Sequence, residues 1–127
     1  MIRIVVPGRP VPKGRPRIQI RGRGRNLRAH AYTPPETREY EERVRDHARM
    51  AAREPLSGPV HVRLVFWVSG RRPDLDNCIK SALDGLCGAA LVDDRQVVRI
   101  EAAMMRARRR DEERAEIVIR RVEEETA

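Results

Sequence analysis

The chain has 127 residues, a typical length for one domain, and 40% of them are hydrophobic. Its 27 Lys and Arg residues against 19 Asp and Glu residues give a net charge of +8 and an isoelectric point near 10.8. Such a charge excludes an acidic protein class and favours a partner with a phosphate backbone, although an Arg-rich genomic composition would explain part of the excess.

The first elements in chain order are a short strand and a long basic segment. Residues 2–6 (I-R-I-V-V) are mostly β-branched, which predicts a short strand, and a Pro-Gly turn follows them. Residues 9–32, the basic arm, are rich in Pro, Gly and Arg and have too few apolar side chains for a core of their own. Within the arm, residues 17–20 and 27–32 are candidates for the strands of a small hairpin. The arm is either a solvated, partly disordered loop or a segment that wraps DNA and orders on binding.

A helix is predicted after the arm. Thr33 is the predicted N-cap, Pro34 the first helical residue and Glu36 the partner in a capping box. We expect the helix to end near residue 53, before a proline. Its predicted apolar face follows helical spacing and consists of Tyr40, Val44, His47 and Ala51.

The second half of the chain alternates strands with one more helix. Residues 60–68 alternate apolar and mixed positions, which predicts a strand with one apolar face. A helix is predicted over 77–87, with Asp76 or Asn77 as N-cap and Gly88 just beyond its end. Residues 98–104 and 115–120 are further predicted strands, and residues 123–127 form an acidic tail. The predicted fold is a single α+β domain over residues 1–127 with a mixed sheet, two main helices and the basic arm.

Membrane-spanning and disulfide-bonded classes are not indicated. No apolar run approaches ~18 residues, and no signal segment opens the chain. The two cysteines, Cys78 and Cys87, have no partners at metal-ligand spacing, so we expect reduced, buried thiols. We therefore expect a cytoplasmic protein with no membrane partner.

A group of carboxylates precedes and enters the second predicted helix. In an extended segment, residues two apart point the same way, so we expect Asp74 and Asp76 to present their carboxylates together. Two such anions repel unless a cation lies between them. Mg²⁺ takes one or two carboxylates together with water and a substrate phosphate, which suits phosphodiester hydrolysis. An Asp-x-Asp pair alone is a weak motif, because surface turns and caps use such pairs often.

Basic residues accompany these acids. Lys80 lies four residues after Asp76 and four before Asp84, on one helical face. Lys80 is a candidate to contact the scissile phosphate or to polarise water, or it forms an ordinary surface pair. We expect Asp84 only to pair with Lys80 or to orient the helix. Arg71 and Arg72 flank the acids and either compensate their charge or bind DNA phosphates. Further candidate phosphate contacts in the arm are Lys13, Arg15, Arg17, Arg21, Arg23 and Arg25.

A second pair of acids, Asp93 and Asp94, follows the second predicted helix. Their side chains diverge if the chain is extended, so we expect only one of them to reach a metal. The other accepts hydrogen bonds in the turn or supports the site indirectly. Spacing does not choose between the two.

These residues resemble a known family. R-R-P-D-L-D-N-C-I-K-S-A-L-D-G-L (71–86) followed by L-V-D-D-R-Q-V-V (91–98) is similar to the RusA-type Holliday junction resolvases, which include many phage and prophage members. P-G-R-P-V-P-K-G-R-P-R (7–17) and Y-T-P-P-E-T-R-E-Y (32–40) also resemble the family. The resemblance implies a homodimer that binds four-way DNA junctions and nicks two strands symmetrically with Mg²⁺ or Mn²⁺, in recombination and repair.

The resemblance also implies roles for individual residues. The three catalytic, metal-binding aspartates of the family correspond to Asp74, Asp76 and Asp94, and its essential lysine corresponds to Lys80. Two other functions remain open: a metal-dependent nuclease of another class that cuts linear duplex, and a DNA-binding protein without catalytic activity. Cleavage of a four-way junction with a divalent metal distinguishes all three.

Overall fold

The computed structural model describes residues 1–122, so the acidic tail predicted at 123–127 lies outside the described residues. The described chain forms an α+β fold with two helices and a mixed sheet, as predicted. None of the helices within these residues is both long and apolar enough to cross a membrane. In chain order the elements are β1 (Ile2–Pro7), β2 (Arg17–Arg21), β3 (Arg28–Tyr32), α1 (Pro35–Ala51), β4 (Val60–Val68), α2 (Leu75–Leu86), β5 (Val97–Arg106) and β6 (Arg114–Arg121).

The main sheet has the strand order β1-β6-β4-β5. Strand β6 pairs antiparallel with both β1 and β4, whereas β4 and β5 run parallel. The predicted strand at 60–68 is confirmed with the same bounds, because its alternating apolar residues Val62, Leu64 and Phe66 are fully buried. Since β4 and β5 are parallel, the loops after both strands meet at one edge of the sheet.

The two helices cover one face of the sheet and pack closely against each other. Gly85 of α2 permits this approach, because a Cβ atom there would lie 2.7 Å from Cβ of Val44 and 2.8 Å from the carbonyl oxygen of Glu41. The buried face of α1 differs in part from the predicted one, because His47 is only partly buried and Ala51 is exposed. The buried residues of α1 are Thr37, Tyr40, Val44 and Ala48.

The predicted start of the first helix is wrong. Helix α1 begins at Pro35 with Pro34 as N-cap, and no side chain caps it. Pro34 precedes a proline, which disfavours the helical region, and it is extended with ψ of 143°. The capping box predicted between Thr33 and Glu36 therefore does not form. The helix ends at Ala51, two residues earlier than expected.

The basic arm contains an ordered hairpin rather than a disordered loop. Strands β2 and β3 pair antiparallel from Arg17 opposite Tyr32 to Arg21 opposite Arg28, close to the predicted hairpin. The backbone N–H of Lys13 donates to the carbonyl of Asn77 at 2.8 Å, which ties the base of the arm to α2. Nearly all of the hairpin is exposed, so its shape comes from strand pairing and this attachment.

Candidate active site

The start of α2 positions the first two predicted site residues. The helix begins at Leu75, two residues before the predicted start, and Asp74 is its N-cap. One carboxylate oxygen of Asp74 accepts from the backbone N–H of Asp76 at 3.0 Å, and the other accepts from the Asn77 amide at 3.2 Å. Asp76 is therefore in the first helical turn, and the extended segment assumed for the pair is wrong. Asp74 prefers the capping position because its short side chain reaches the free N–H groups of the first turn.

Asp76 and Lys80 lie one turn apart on the exposed face of α2. The Lys80 Nζ is 3.5 Å from the Asp76 carboxylate, and the two side chains are 59% and 73% exposed. The spacing argument for these two residues is confirmed. An exposed pair of this kind contributes little to stability, so both groups stay available for a ligand.

Asp84 has a different partner from the one expected. Its carboxylate lies 3.0 Å from the Nζ of Lys13, which also donates to Glu41 at 2.7 Å. Burial lowers the pKa of Lys13, but the hydrogen bonds from its ammonium to Glu41 and Asp84 outweigh burial and raise it overall. Lys13, predicted to contact DNA, therefore links the basic arm to both helices.

The turn after α2 distinguishes the two adjacent acids. Asp93 caps the short 3-10 turn Asp94–Gln96: its side chain accepts from the Arg95 N–H at 3.0 Å, and Gln96 accepts from the Asp93 N–H at 3.0 Å. The Gln96 amide in turn donates to the carbonyl of Leu56 at 2.7 Å, which fixes the turn to the body of the domain. Asp94 is exposed beside it.

Hydrogen bonding and charge separate the pKa values of these two acids. The Arg95 N–H and a hydrogen bond with Asp94 lower the pKa of Asp93. The hydrogen bond with Asp93, slight burial, and the negative charges of Asp93 and Asp84 raise the pKa of Asp94. Asp94 therefore lies within electrostatic range of Asp84, near the end of α2.

The acids form a row along α2 rather than one preformed cluster. Asp74, Asp76 and Lys80 lie together at its start, and Asp84 and Asp94 interact near its end. Asp76 and Asp84 are eight residues apart, which is about 12 Å along a helix axis. Within residues 1–122, no three His, Cys, Asp or Glu side chains already converge in a group that would hold a metal.

The predicted DNA contacts fall on two exposed surfaces. In the arm, Arg17 pairs with Glu36 at 2.7 Å and Arg21 hydrogen-bonds Gln19. The remaining predicted arginines, in the arm and in the loop that leads to Asp74, are all exposed: Arg15, Arg23, Arg25, Arg71 and Arg72.

The cysteines are free, as expected. Cys78 is buried, and burial raises the pKa of its thiol to about 11, so it is protonated at neutral pH. Cys87 is half-buried, and burial together with nearby carboxylates raises its pKa as well. Neither thiol has the lowered pKa of a nucleophile.

One buried group was missed from the sequence. Glu113 is 6% exposed and binds Arg9 at 2.6 Å and the Ser69 N–H at 2.9 Å. It thereby holds the start of the arm to the loop before Asp74. No local pattern indicates this role, because Arg9 and Glu113 are 104 residues apart.

Comparison with known proteins identifies the family. The model of the family described as endodeoxyribonuclease RusA matches residues 7–120, nearly the whole chain. No curated protein matches the chain. The match includes both helices, all the acids of the row along α2 and the basic arm. The chain therefore belongs to the RusA family of endodeoxyribonucleases, hydrolases of DNA phosphodiester bonds that resolve Holliday junctions and generally depend on a divalent metal.

Proposed function

We propose that this protein is a Mg²⁺-dependent endonuclease that resolves Holliday junctions by paired nicking in DNA recombination and repair, with Mn²⁺ as a substitute ion. The observation that carries the proposal is the exposed group of Asp74, Asp76 and Lys80 at the start of α2, within a chain of this family. A cytoplasmic location is part of the proposal, because the DNA substrate lies there.

The donor set at the start of α2 fits a hard divalent cation. The carboxylate oxygens of Asp74 each accept one hydrogen bond, which leaves a second lone pair on each. Among residues 1–122, the Asp76 carboxylate has only an exposed ion pair with Lys80. We assign Asp74 and Asp76 as ligands and Asp94 as the third ligand. When bound, the ion would supply Lewis-acid activation of water and of the phosphate.

Asp94 is favoured over Asp93 as the third ligand by the geometry of the turn. Asp93 uses its carboxylate to cap the 3-10 turn and Asp94 does not. The Asp93 side chain is fixed by the Arg95 N–H, whereas Asp94 is exposed and can reorient.

The basic residues around the acids have separate roles in the proposed reaction. The Lys80 ammonium neutralises Asp76 in the free protein and stabilises negative charge on the phosphate oxygens as the bond breaks. Arg71 and Arg72 bind phosphates beside the cut. The exposed arginines of the arm add sequence-independent contacts, whose affinity falls steeply with salt.

A homodimer is also part of the proposal, because two symmetric nicks require two active sites. The outer edge of β5 is a suitable surface for a second copy. Val98 and Ile100 are 61% and 44% exposed on this edge strand, and exposed apolar edges promote association. Light scattering should then give twice the chain mass of 14.6 kDa.

The proposed function is tested by incubating a synthetic four-way junction with wild-type protein and with Asp76→Asn, in Mg²⁺, in Mn²⁺ and in EDTA. We expect paired nicks from the wild type only with a metal, and binding without nicks from Asp76→Asn. A linear duplex of the same sequence serves as the substrate control. A wild-type protein that binds the junction and never cuts it, or that cuts the duplex equally fast, contradicts the proposal.

A further inference from the structure

Two loops meet at the carboxyl ends of the parallel strands β4 and β5. Residues 69–73 lead from β4 to Asp74, and residues 107–113 lead from β5 to β6. The loops are joined where the Ala107 N–H donates to the Val68 carbonyl at 2.8 Å. Between them lies a cleft of about 620 Å³, lined by Arg9, Ser69, Gly70, Arg71, Arg110 and Glu113.

Glu113 forms the fixed wall of this cleft. Its buried carboxylate accepts from the Ser69 N–H at 2.9 Å and the Ser69 hydroxyl at 3.2 Å, and it pairs with Arg9. Arg9 also donates to the carbonyls of Ser69 and Arg71. Since Glu113 already neutralises Arg9, these two residues hold the loops together and leave no net charge between them.

Arg71 and Arg110 are the charged groups that remain in the cleft. Both are exposed, and their guanidinium groups make no hydrogen bond or ion pair with any residue in the described part of the chain. Because the charges of Arg9 and Glu113 cancel, Arg71 and Arg110 give the cleft two uncompensated positive charges. A guanidinium fork matches the oxygens of a phosphate, so an anionic phosphodiester suits this cleft better than a neutral or cationic ligand.

The neighbouring Arg109 differs from Arg110 in this respect. Its guanidinium pairs with Asp111 at 3.4 Å and Glu112 at 3.4 Å. Arg109 and Arg110 thus carry the same formal charge in the same loop, but only Arg110 faces the cleft without a partner among residues 1–122. This pair of residues provides a matched control.

We propose that Arg71 and Arg110 form a second DNA-binding site, in which the cleft between the two loops holds a backbone phosphate of the substrate strand. The site lies where the basic arm begins and apart from the arm hairpin, and it rests on the proposed function, which supplies the DNA. Arg71 lies three residues before Asp74, at most about 10 Å along the chain. A phosphate held here therefore positions the strand relative to the acids on α2.

The test compares Arg110→Gln and Arg109→Gln in the full chain. The equilibrium constant for binding a four-way junction is measured in EDTA at several salt concentrations. We expect Arg110→Gln to reduce the slope of log K against log salt by about 1 and to weaken binding roughly tenfold at 0.1 M salt. Arg109→Gln should keep the wild-type slope, and Arg110→Lys should keep most of it because the charge remains.

An unchanged slope in Arg110→Gln, or an equal loss in Arg109→Gln, overturns the assignment of the cleft. Thermal unfolding of both variants should match the wild type, because neither side chain is part of the core. If the wild type cuts junctions and Arg110→Gln has the wild-type slope, only the cleft assignment fails. If the wild type neither binds nor cuts a junction, the proposed function fails with it.

Discussion

Asp93 and Asp94 are adjacent residues with different environments. Asp93 caps the turn after α2 and has a lowered pKa, first because the Arg95 N–H donates a hydrogen bond to its carboxylate and then because of a hydrogen bond shared with Asp94. Asp94 has a raised pKa, first because of its hydrogen bond with Asp93 and then because of burial and neighbouring carboxylates. A divalent cation would relieve the repulsion around Asp94 and would gain less from Asp93, which already has partners.

Exchange of each acid for asparagine separates these roles. We expect Asp94→Asn to slow single-turnover nicking of a junction by more than about 100-fold. Loss of a group that only supports a metal ligand costs up to about 100-fold, and loss of a ligand itself should cost more. Asp93→Asn should stay within about tenfold of wild type, because asparagine is an equally good N-cap. The measurement is the nicking rate at saturating protein and Mg²⁺. A nicking rate that is lower for Asp93→Asn than for Asp94→Asn contradicts the assignment of Asp94.

Glu113 makes stability depend on pH. Burial raises the pKa of its carboxyl, but hydrogen bonds from the Ser69 N–H, from Arg9 and from the Ser69 hydroxyl lower it overall below the ordinary value of 4.5. A group with a lowered pKa in the folded state contributes its stability above the unfolded value and loses it as the pH falls through the folded value. The interaction is therefore present at neutral pH and lost in acid.

Glu113→Gln tests this dependence. We expect the free energy of unfolding to fall by about 2 kcal/mol at pH 7, the scale of hydrogen bonds to a charged group. The difference between wild type and variant should shrink as the pH falls from about 5 through the lowered pKa of Glu113, since other groups titrate equally in both proteins. Urea unfolding of both proteins at a series of pH values measures this difference in the free energy of unfolding. A difference that stays constant over this range contradicts the ion pair described for Arg9 and Glu113.

Among the elements, the arm hairpin is the one with the least contact with the core. Its strands are exposed, and the pairing of Arg17 with Tyr32 closes it where it leaves the domain. The attachment runs from Lys13 to Asn77, whose side-chain amide also donates to Asp74. The base of the arm therefore lies beside the start of α2, where its arginines are placed to hold DNA near the proposed metal ligands.

Removal of the hairpin tests its role. Residues 18–31 can be replaced by Asn-Gly, because the flanking residues Arg17 and Tyr32 are already paired. We expect the free energy of unfolding to change by less than about 1 kcal/mol, because exposed residues away from the core contribute little. Junction affinity at 0.1 M salt should fall at least tenfold or so, and the salt slope should drop by about 2 to 4. An unchanged slope means that the arm does not contact DNA.

Local patterns predicted the elements better than their ends. The strand at 60–68 was found with correct bounds because strict alternation marks a half-buried strand. The start of α1 was wrong because the second proline of the Pro34-Pro35 pair forces the first into an extended conformation. The start of α2 was wrong because several residues there can cap a helix, and only the fold shows that Asp74 does so.

Only part of the candidate site could be predicted from the sequence, because only its local contacts follow from residue spacing. The pairing of Asp76 with Lys80 follows from helical spacing, which is local. The binding of Lys13 to Asp84 and Glu41 and of Arg9 to Glu113 joins distant parts of the chain, so spacing does not reveal it. The identity of the substrate came from the family resemblance, since an acid pair and a net positive charge fit many nucleases.

In the whole molecule, the basic residues behind the net charge of +8 fall into two groups, those in ion pairs and those exposed without such a partner among residues 1–122. Some basic residues stabilise the fold through ion pairs with partly or fully buried acids, among them Arg9 and Lys13. Exposed arginines lie in the arm, whose Lys13 N–H is bonded to Asn77 of α2, and in the loops after β4 and β5, the first of which leads to Asp74. The proposed function uses this distribution of charge: the acids would hold the metal, and the exposed arginines would bind the DNA backbone.

A supercoiled plasmid that extrudes one cruciform tests most directly whether the protein is a dimeric, metal-dependent junction resolvase. With Mg²⁺, we predict that the wild type converts the plasmid to linear molecules cut at the cruciform, because both strands are nicked before the protein leaves. Asp76→Asn should bind the plasmid and leave it supercoiled. Nicked circles as the final wild-type product, cutting away from the cruciform, or equal cutting by Asp76→Asn would contradict this function.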